Sequence, residues 1–226
     1  MVKAVIFDMF ETLITHYSSP LYFSEDMARD AGLEYSDFYR TWKETDCERT
    51  LGNMTFSQVI KQILTENNVW NQQTFDLIVK KRTETKKELF KKLHPEIIPM
   101  LESLKKKGMK IALISNCFDE EAAVIRKSIL FPYFDAVCLS CEIKMRKPEP
   151  QIFYKCLEEL GLKPSECIYC GDGGSSELEA AGNIGMRTFQ ACWYFSPENE
   201  QILFRKPEFQ QLENPMEIIE KLRDKI

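Results

Sequence analysis

The chain has 226 residues, 44% of them hydrophobic, and a formal charge of −5. That is enough apolar material for a full core, in one large domain or in a domain with an insertion. The acidic balance provides no general basic field and argues against nucleic acid as a partner. No stretch approaches the roughly 20 apolar residues of a membrane span, and the first eight residues are too short and too soon charged for a secretory signal, so a cytoplasmic protein is expected.

Residues 2–8 are an apolar, β-branched run that stops at a carboxylate, Asp8, and read as a buried parallel strand. About 90 residues without a convincing strand follow, far more than the roughly 2–6 of an ordinary strand-to-helix connection. Within them residues 24–31, 36–50, 55–67 and 73–93 carry helical periodicity, with Ser24, Ser36 and Thr55 placed as N-caps. The expectation is an all-helical insert over residues 16–94, hinged near residues 16–20 and 94–96, in a core made of residues 1–15 and 95–226. Lys80-Lys81-Arg82 and Lys105-Lys106-Lys107 fall in helical patterns and read as solvated faces. His16 and His94 read as hinge or surface residues, and Trp42, Trp70 and Tyr39 as core of the insert.

Four further strands are predicted at residues 109–115, 134–140, 166–171 and 187–191, separated by helical patterns at 120–130, 150–160 and 177–183. An amphipathic helix closes the chain at 216–226. Strand and helix in alternation define an α/β fold, a doubly wound parallel sheet with helices on both faces. Cys138/Cys141 and Cys167/Cys170 have the spacing of a zinc site. Both pairs lie in or run to the end of predicted strands, however, where residues three apart face opposite sides. All eight cysteines therefore read as reduced thiols and these four as small buried hydrophobes, as does Cys117.

In open parallel sheets ligands bind beyond the C-terminal strand ends. Those ends bring Asp8, then Ser115 and Asn116, then Gly171-Asp172-Gly173-Gly174, with Lys147 following the third strand and Glu177 opening the helix after Asp172. A carboxylate nucleophile, hydroxyl or amide donors, a lysine and a second carboxylate are the parts of phosphoryl transfer through an aspartyl-phosphate. Two carboxylates beside a phosphate need a cation between them, and Mg2+ suits oxygen ligands of this kind. The overlapping Gly171-x-Gly173 comes too late in the chain, and without a placed acidic ribose partner, to carry a dinucleotide site.

Phe7-Asp8-Met9-Phe10-Glu11-Thr12-Leu13, Ile114-Ser115-Asn116, Lys147-Pro148 and Gly171-Asp172 with Glu177 resemble, in order, the four motifs of the haloacid dehalogenase-like hydrolase superfamily. The resemblance covers nearly the whole chain. It implies a Rossmann-like core with an inserted helical cap that closes over the site. It further implies catalytic roles for Asp8, Ser115 and Lys147, substrate contacts from Thr12 and Asn116, and magnesium held by Asp8, Asp172, the backbone carbonyl of Phe10 and, through water, Glu177. The substrate class implied is a small phosphorylated metabolite, acted on by a monomer or homodimer. Phe10 departs from the pattern, since phosphatases of the family carry there a second aspartate that protonates the leaving group and activates water for the second half of the reaction, a role left here to Glu11 or a cap residue if any group takes it. Haloacid dehalogenases of the family lack that aspartate and need no metal. Phosphonoacetaldehyde hydrolase lacks it too but uses a cap lysine, for which Lys43 and Lys61 are two of several candidates. A non-catalytic phospho-ligand binder is the remaining alternative.

Overall fold

The computed structural model describes residues 1–197, 199 and 202–222. Its sheet contains β1 (Ala4–Phe7), β2 (Lys110–Ser115), β3 (Ala136–Leu139), β4 (Cys167–Gly171), β5 (Arg187–Ala191) and β6 (Gln210–Leu212). The spatial order is β3-β2-β1-β4-β5-β6, with every neighbouring pair parallel. The chain winds outward from β1 through β2 to β3, then returns to lay β4 on the other side of β1. The crevice at the C-terminal ends of β1 and β4 is thus the point where winding direction reverses, the place where such sheets bind ligands. Five strands match the predicted runs. β6 was not foreseen, because Gln210-Gln211-Leu212 holds a single apolar residue and sits at the sheet edge.

Both faces of β1 are covered. Val5 and Phe7 belong to one hydrophobic cluster and Ala4 and Ile6 to another, as the two-residue period of a strand requires. The first cluster takes its helical side from Ile97–Lys106, Asp119–Ile125 and Glu217–Lys221; the second takes it from Pro150–Leu160 and Glu177–Asn183. Cys167 and Cys170 fall in different clusters, and so do Cys138 and Cys141. Cys141 is not in a strand, however, because residues Ser140–Ile143 form a short helix. The Ser140 hydroxyl, which accepts from the Cys117 N–H at 3.0 Å, marks the start of that helix. The helix predicted at 120–130 ends at Ile125. The terminal helix is seen at Glu217–Lys221, and residues 223–226 of the predicted run lie outside the described residues.

The segment between β1 and β2 contains the helices Ser24–Ala31, Tyr35–Glu44, Asp46–Thr50, Phe56–Glu66 and Gln72–Leu89 before the Ile97–Lys106 helix. Met27, Phe38, Phe56, Ile60, Ile63 and Ile78 are among a third cluster, drawn wholly from this segment. Thr55 caps its helix with a reciprocal box: its hydroxyl accepts from the Gln58 N–H at 3.2 Å and its own N–H donates to Gln58 Oε1 at 2.8 Å. The other two predicted caps are corrected. Ser24 and Ser36 lie inside their helices, and at the first of these Asp26 does the capping by accepting from the Phe23 N–H at 3.0 Å.

The run 36–50 is two helices meeting at Thr45, whose hydroxyl donates back to the Thr41 carbonyl at 2.8 Å, a bond that competes with helix continuation. Trp70 and Tyr39 are 41% and 37% exposed, so neither is core, whereas Trp42 packs against the cluster. Arg82, read as part of a solvated basic run, is only 4% exposed. Among the described residues no helix is long and apolar enough to cross a membrane.

Candidate active site

β1 delivers Asp8 to the switch point, where its N–H donates to the Cys170 carbonyl of β4 at 3.0 Å. Two residues further along β4's exit lies Asp172. The close approach of the two strands' exits needs glycine between them. A Cβ on Gly171 would fall 1.9 Å from Glu177 Oε1 and 3.3 Å from Asp8 Cβ. Asp8, Asp172 and Glu177 present carboxylate oxygens within 4.8 Å of one another. The Asp172 carboxylate accepts from the Gly174 N–H at 3.0 Å, and Glu177 from the Gly173 N–H at 3.3 Å.

Lys147 is buried among them. Its ammonium donates to both Asp8 Oδ1 and Glu177 Oε2, and lies 3.3 Å from the Tyr169 hydroxyl. Asn116 fixes the lysine's main chain from both sides: its Oδ1 accepts from the Lys147 N–H at 2.8 Å and its Nδ2 donates to the Lys147 carbonyl at 2.9 Å. Ser115 and Thr12 are fully buried. Ser115 Oγ has only a long 3.5 Å approach to the Asn116 carbonyl, and Thr12 Oγ1 has no hydrogen-bond partner among the described residues. Buried hydroxyls are rarely left in that state unless something else completes them.

One ammonium against three carboxylates leaves the site short of positive charge. Burial pushes the Asp8 carboxyl well above its ordinary range; Lys147 pulls it down, and Glu177 and Asp172 push it further up. Burial and the Glu177 charge push Asp172 up to about 7. Burial also works against the Lys147 charge, but Asp8 and Glu177 outweigh it and raise its pKa. A divalent cation with oxygen preference fits this donor set, since it would replace the missing positive charge.

Sequence reasoning missed Tyr169, whose hydroxyl donates to Glu177 Oε2 at 2.7 Å. The available signal was a phenol inside a fully buried strand, which must find a polar partner. Phe10 faces away from acid–base work: its ring stacks on His16 with centroids 5.0 Å apart. Glu11, one residue beyond Phe10, is left-handed at φ 56 and turned onto other groups, so it does not replace the absent aspartate. Its carboxylate binds the Thr15 hydroxyl, the His16 N–H at 3.0 Å and His16 Nδ1 at 2.7 Å.

His16 is accordingly not a surface residue. Its Nε2 lies 2.7 Å from Lys86 Nζ, which bridges to Glu121 at 2.6 Å. Arg82 joins the same group through Glu120 and Glu121, each at 3.0 Å. His94, half-buried, accepts from the Glu96 N–H at 3.2 Å. Lys43 and Lys61 are both exposed.

A family model described as haloacid dehalogenase-like hydrolase matches residues 2–185, and the chain belongs to that family. It is 26% identical to the glyceraldehyde 3-phosphate phosphatase of Methanopyrus kandleri, over 99% of this chain and 98% of that protein. It is 34% identical to the phosphoglycolate phosphatase of Aquifex aeolicus over 60% of this chain and 61% of the relative's length. In fold it is similar to a family enzyme of Bacteroides thetaiotaomicron solved with magnesium and inorganic phosphate. The TM-score is 0.68 at 19% identity, over 91% of this chain and all of that one.

Proposed function

We propose that the chain is a magnesium-dependent phosphatase of small phosphorylated metabolites, working through an aspartyl-phosphate on Asp8. The observation that carries this reading is the cluster of Asp8, Asp172 and Glu177 within 4.8 Å, with Lys147 as its single cation among the described residues. Asp8 attacks phosphorus and the alkoxide or phenoxide of the substrate leaves; water then attacks the phosphorus of the aspartyl-phosphate, which frees inorganic phosphate and restores the Asp8 carboxylate. Lys147 holds the phosphoryl oxygens against Asp8, with its main chain kept in place by Asn116. The Thr12 hydroxyl, without a partner among the described residues, and the Ser115 hydroxyl, with only its long approach to the Asn116 carbonyl, donate to the same oxygens. Magnesium would be held by Asp8, Asp172 and the Phe10 carbonyl, with Glu177 acting through water, and would supply charge neutralisation at the phosphoryl group. The names of the relatives as phosphatases support the same reaction class.

Residues 16–94 act in this reading as the cap over a core of residues 1–15 and 95–226. In support, the segment has its own hydrophobic cluster and meets the core through polar contacts at residues 119–121, beside the Phe118 ring and the packing of Leu89 and Phe90 into the first core cluster. Phe10 leaves the departing group unprotonated. Losing such help costs about 10²- to 10⁴-fold in rate, so aryl phosphates are turned over faster than alkyl phosphates.

Phosphate release from a metabolite panel, with and without magnesium, compared between the native chain and Asp8→Asn, tests the proposal. Magnesium-dependent release that the variant loses is expected; release that survives in the variant sinks it. Phe10 favours one second reading, metal-free halide displacement, and chloride release from 2-chloropropionate without magnesium would establish it instead.

A further inference from the structure

A cavity of ≈ 470 Å³ adjoins the catalytic residues, with Asn116 and Lys147 in its wall. A phosphoryl group held at Lys147 therefore places the rest of its molecule against the other lining groups. These include Asp46 and Thr50 from the helical segment and Ser175 and Ser176 from the turn after Asp172. None of the Thr50, Ser175 and Ser176 hydroxyls has a hydrogen-bond partner among the described residues.

The two serines are in the left-handed region, Ser175 at φ 51 and ψ 27 and Ser176 at φ 49 and ψ 34. Two consecutive side-chain-bearing residues in that conformation are strained, and such strain persists where a site uses it. Asp46 is 59% exposed, with the Arg49 guanidinium 3.7 Å away. Glu121 adds a second carboxylate to the wall, tied to Lys86 and Arg82. Arg146, the wall's other cation, is paired with Glu149 at 3.3 Å.

A carboxylate on the substrate body would meet Asp46 with repulsion, whereas hydroxyls can donate to it and exchange hydrogen bonds with the three side-chain hydroxyls. We infer that this cavity takes the uncharged, polyhydroxylated body of a phosphorylated sugar or polyol, with Asp46, Thr50, Ser175 and Ser176 setting that specificity. The inference rests on the phosphatase reading and narrows its substrate class.

The test compares kcat/KM for sorbitol 6-phosphate and phosphoglycolate, with magnesium and the full chain. Both are alkyl phosphates, so the acid missing at Phe10 weighs on them alike, and p-nitrophenyl phosphate reports the chemistry itself. The polyol phosphate is expected to be preferred by about 10-fold or more. Asp46→Ala is expected to lower that preference by about 10- to 100-fold, the range for losing a hydrogen bond to a charged group. Ser175→Gly with Ser176→Gly, which keeps the backbone conformation accessible while deleting both hydroxyls, should lower it about 10-fold.

Turnover of p-nitrophenyl phosphate with phosphoglycolate equal or preferred overturns the inference and leaves the phosphatase reading standing. If no compound releases phosphate, the phosphatase reading falls. Calorimetric titration of sorbitol 6-phosphate then decides the ligand class: about 10-fold weaker binding to Asp46→Ala than to the native chain supports it, and equal affinity overturns it.

Discussion

Two networks of buried charge among the described residues are built on opposite plans. At the switch point Asp8, Asp172 and Glu177 share one ammonium, Lys147, and the carboxyl groups of Asp8 and Asp172 are driven upward. Between the helical segment and the core, Glu120 and Glu121 are matched by Arg82 and Lys86, while Glu11 is held by the Thr15 hydroxyl and by His16, an imidazole whose pKa burial and the Lys86 charge lower. There burial opposes the Glu121 charge, yet Lys86 and Arg82 outweigh it and hold the carboxyl down to about 2. Glu120 is pushed up to about 7, mainly by burial and against the Arg82 charge, with Glu121 beside it adding to the rise. A balanced network ties two parts of a fold together, while an unbalanced one keeps its deficit for something it binds.

The largest effect expected from this contrast is at Asp8. Asp8→Asn should lower phosphatase turnover by about 10³- to 10⁶-fold, while the midpoint of thermal unfolding stays level or rises, because a buried carboxylate in an anionic site is removed. A marked loss of thermal stability would show that the site is structural after all.

In the other network the expectation reverses. Glu121→Gln leaves Lys86 and Arg82 buried without their shared partner and should cost about 3–5 kcal/mol of stability in urea unfolding. Native stability attributable to Glu121 is fully present above its ordinary pKa and is lost as pH falls from about 4.5 toward about 2. A variant whose acid unfolding tracks the native curve through that window would refute the assignment.

Phe10→Asp sharpens the catalytic side. Supplying the absent carboxyl should raise kcat on alkyl phosphates by about 10²-fold, with a smaller gain on p-nitrophenyl phosphate, whose leaving group needs no proton. Equal gains on both would mean that Phe10 withholds water activation in the shared breakdown of the aspartyl-phosphate rather than protonation of the leaving group.

The smallest effect is a ligand-linked shift. Magnesium at about 10 to 100 times its dissociation constant should stabilise the fold by about 1.4–2.7 kcal/mol. In the metal-free protein Asp172 has a folded pKa of about 7 against an ordinary 3.8. Its own contribution to stability is therefore present below pH 3.8 and lost as pH rises through about 7, and a bound cation has to displace its proton. Stabilisation by magnesium should grow from pH 5 to pH 7.5; a shift that is flat with pH would detach Asp172 from the cation.

The sequence by itself determined the parallel sheet, because runs such as Val5-Ile6-Phe7 and Ile111-Ala112-Leu113-Ile114 are apolar on both faces and stop at polar residues. It also pointed to Asp8, Ser115, Asn116, Asp172 and Glu177, since each lies at or just beyond a strand end or at the following helix start, and to Lys147 in the loop before the Pro150–Leu160 helix. It could not rank charged residues inside helices. Arg82 and Lys86 look on paper like Lys80 and Lys81, and only packing against Glu120 and Glu121 of another helix sends them inward. Tyr169 needed the fold for the same reason, as its partners Lys147 and Glu177 are brought to its hydroxyl by separate elements. Asp46, Thr50, Ser175 and Ser176 share one cavity wall only because the helical segment folds back over the turn after β4. A periodic pattern reports which side of an element is apolar; which polar groups meet across elements is decided by tertiary packing alone.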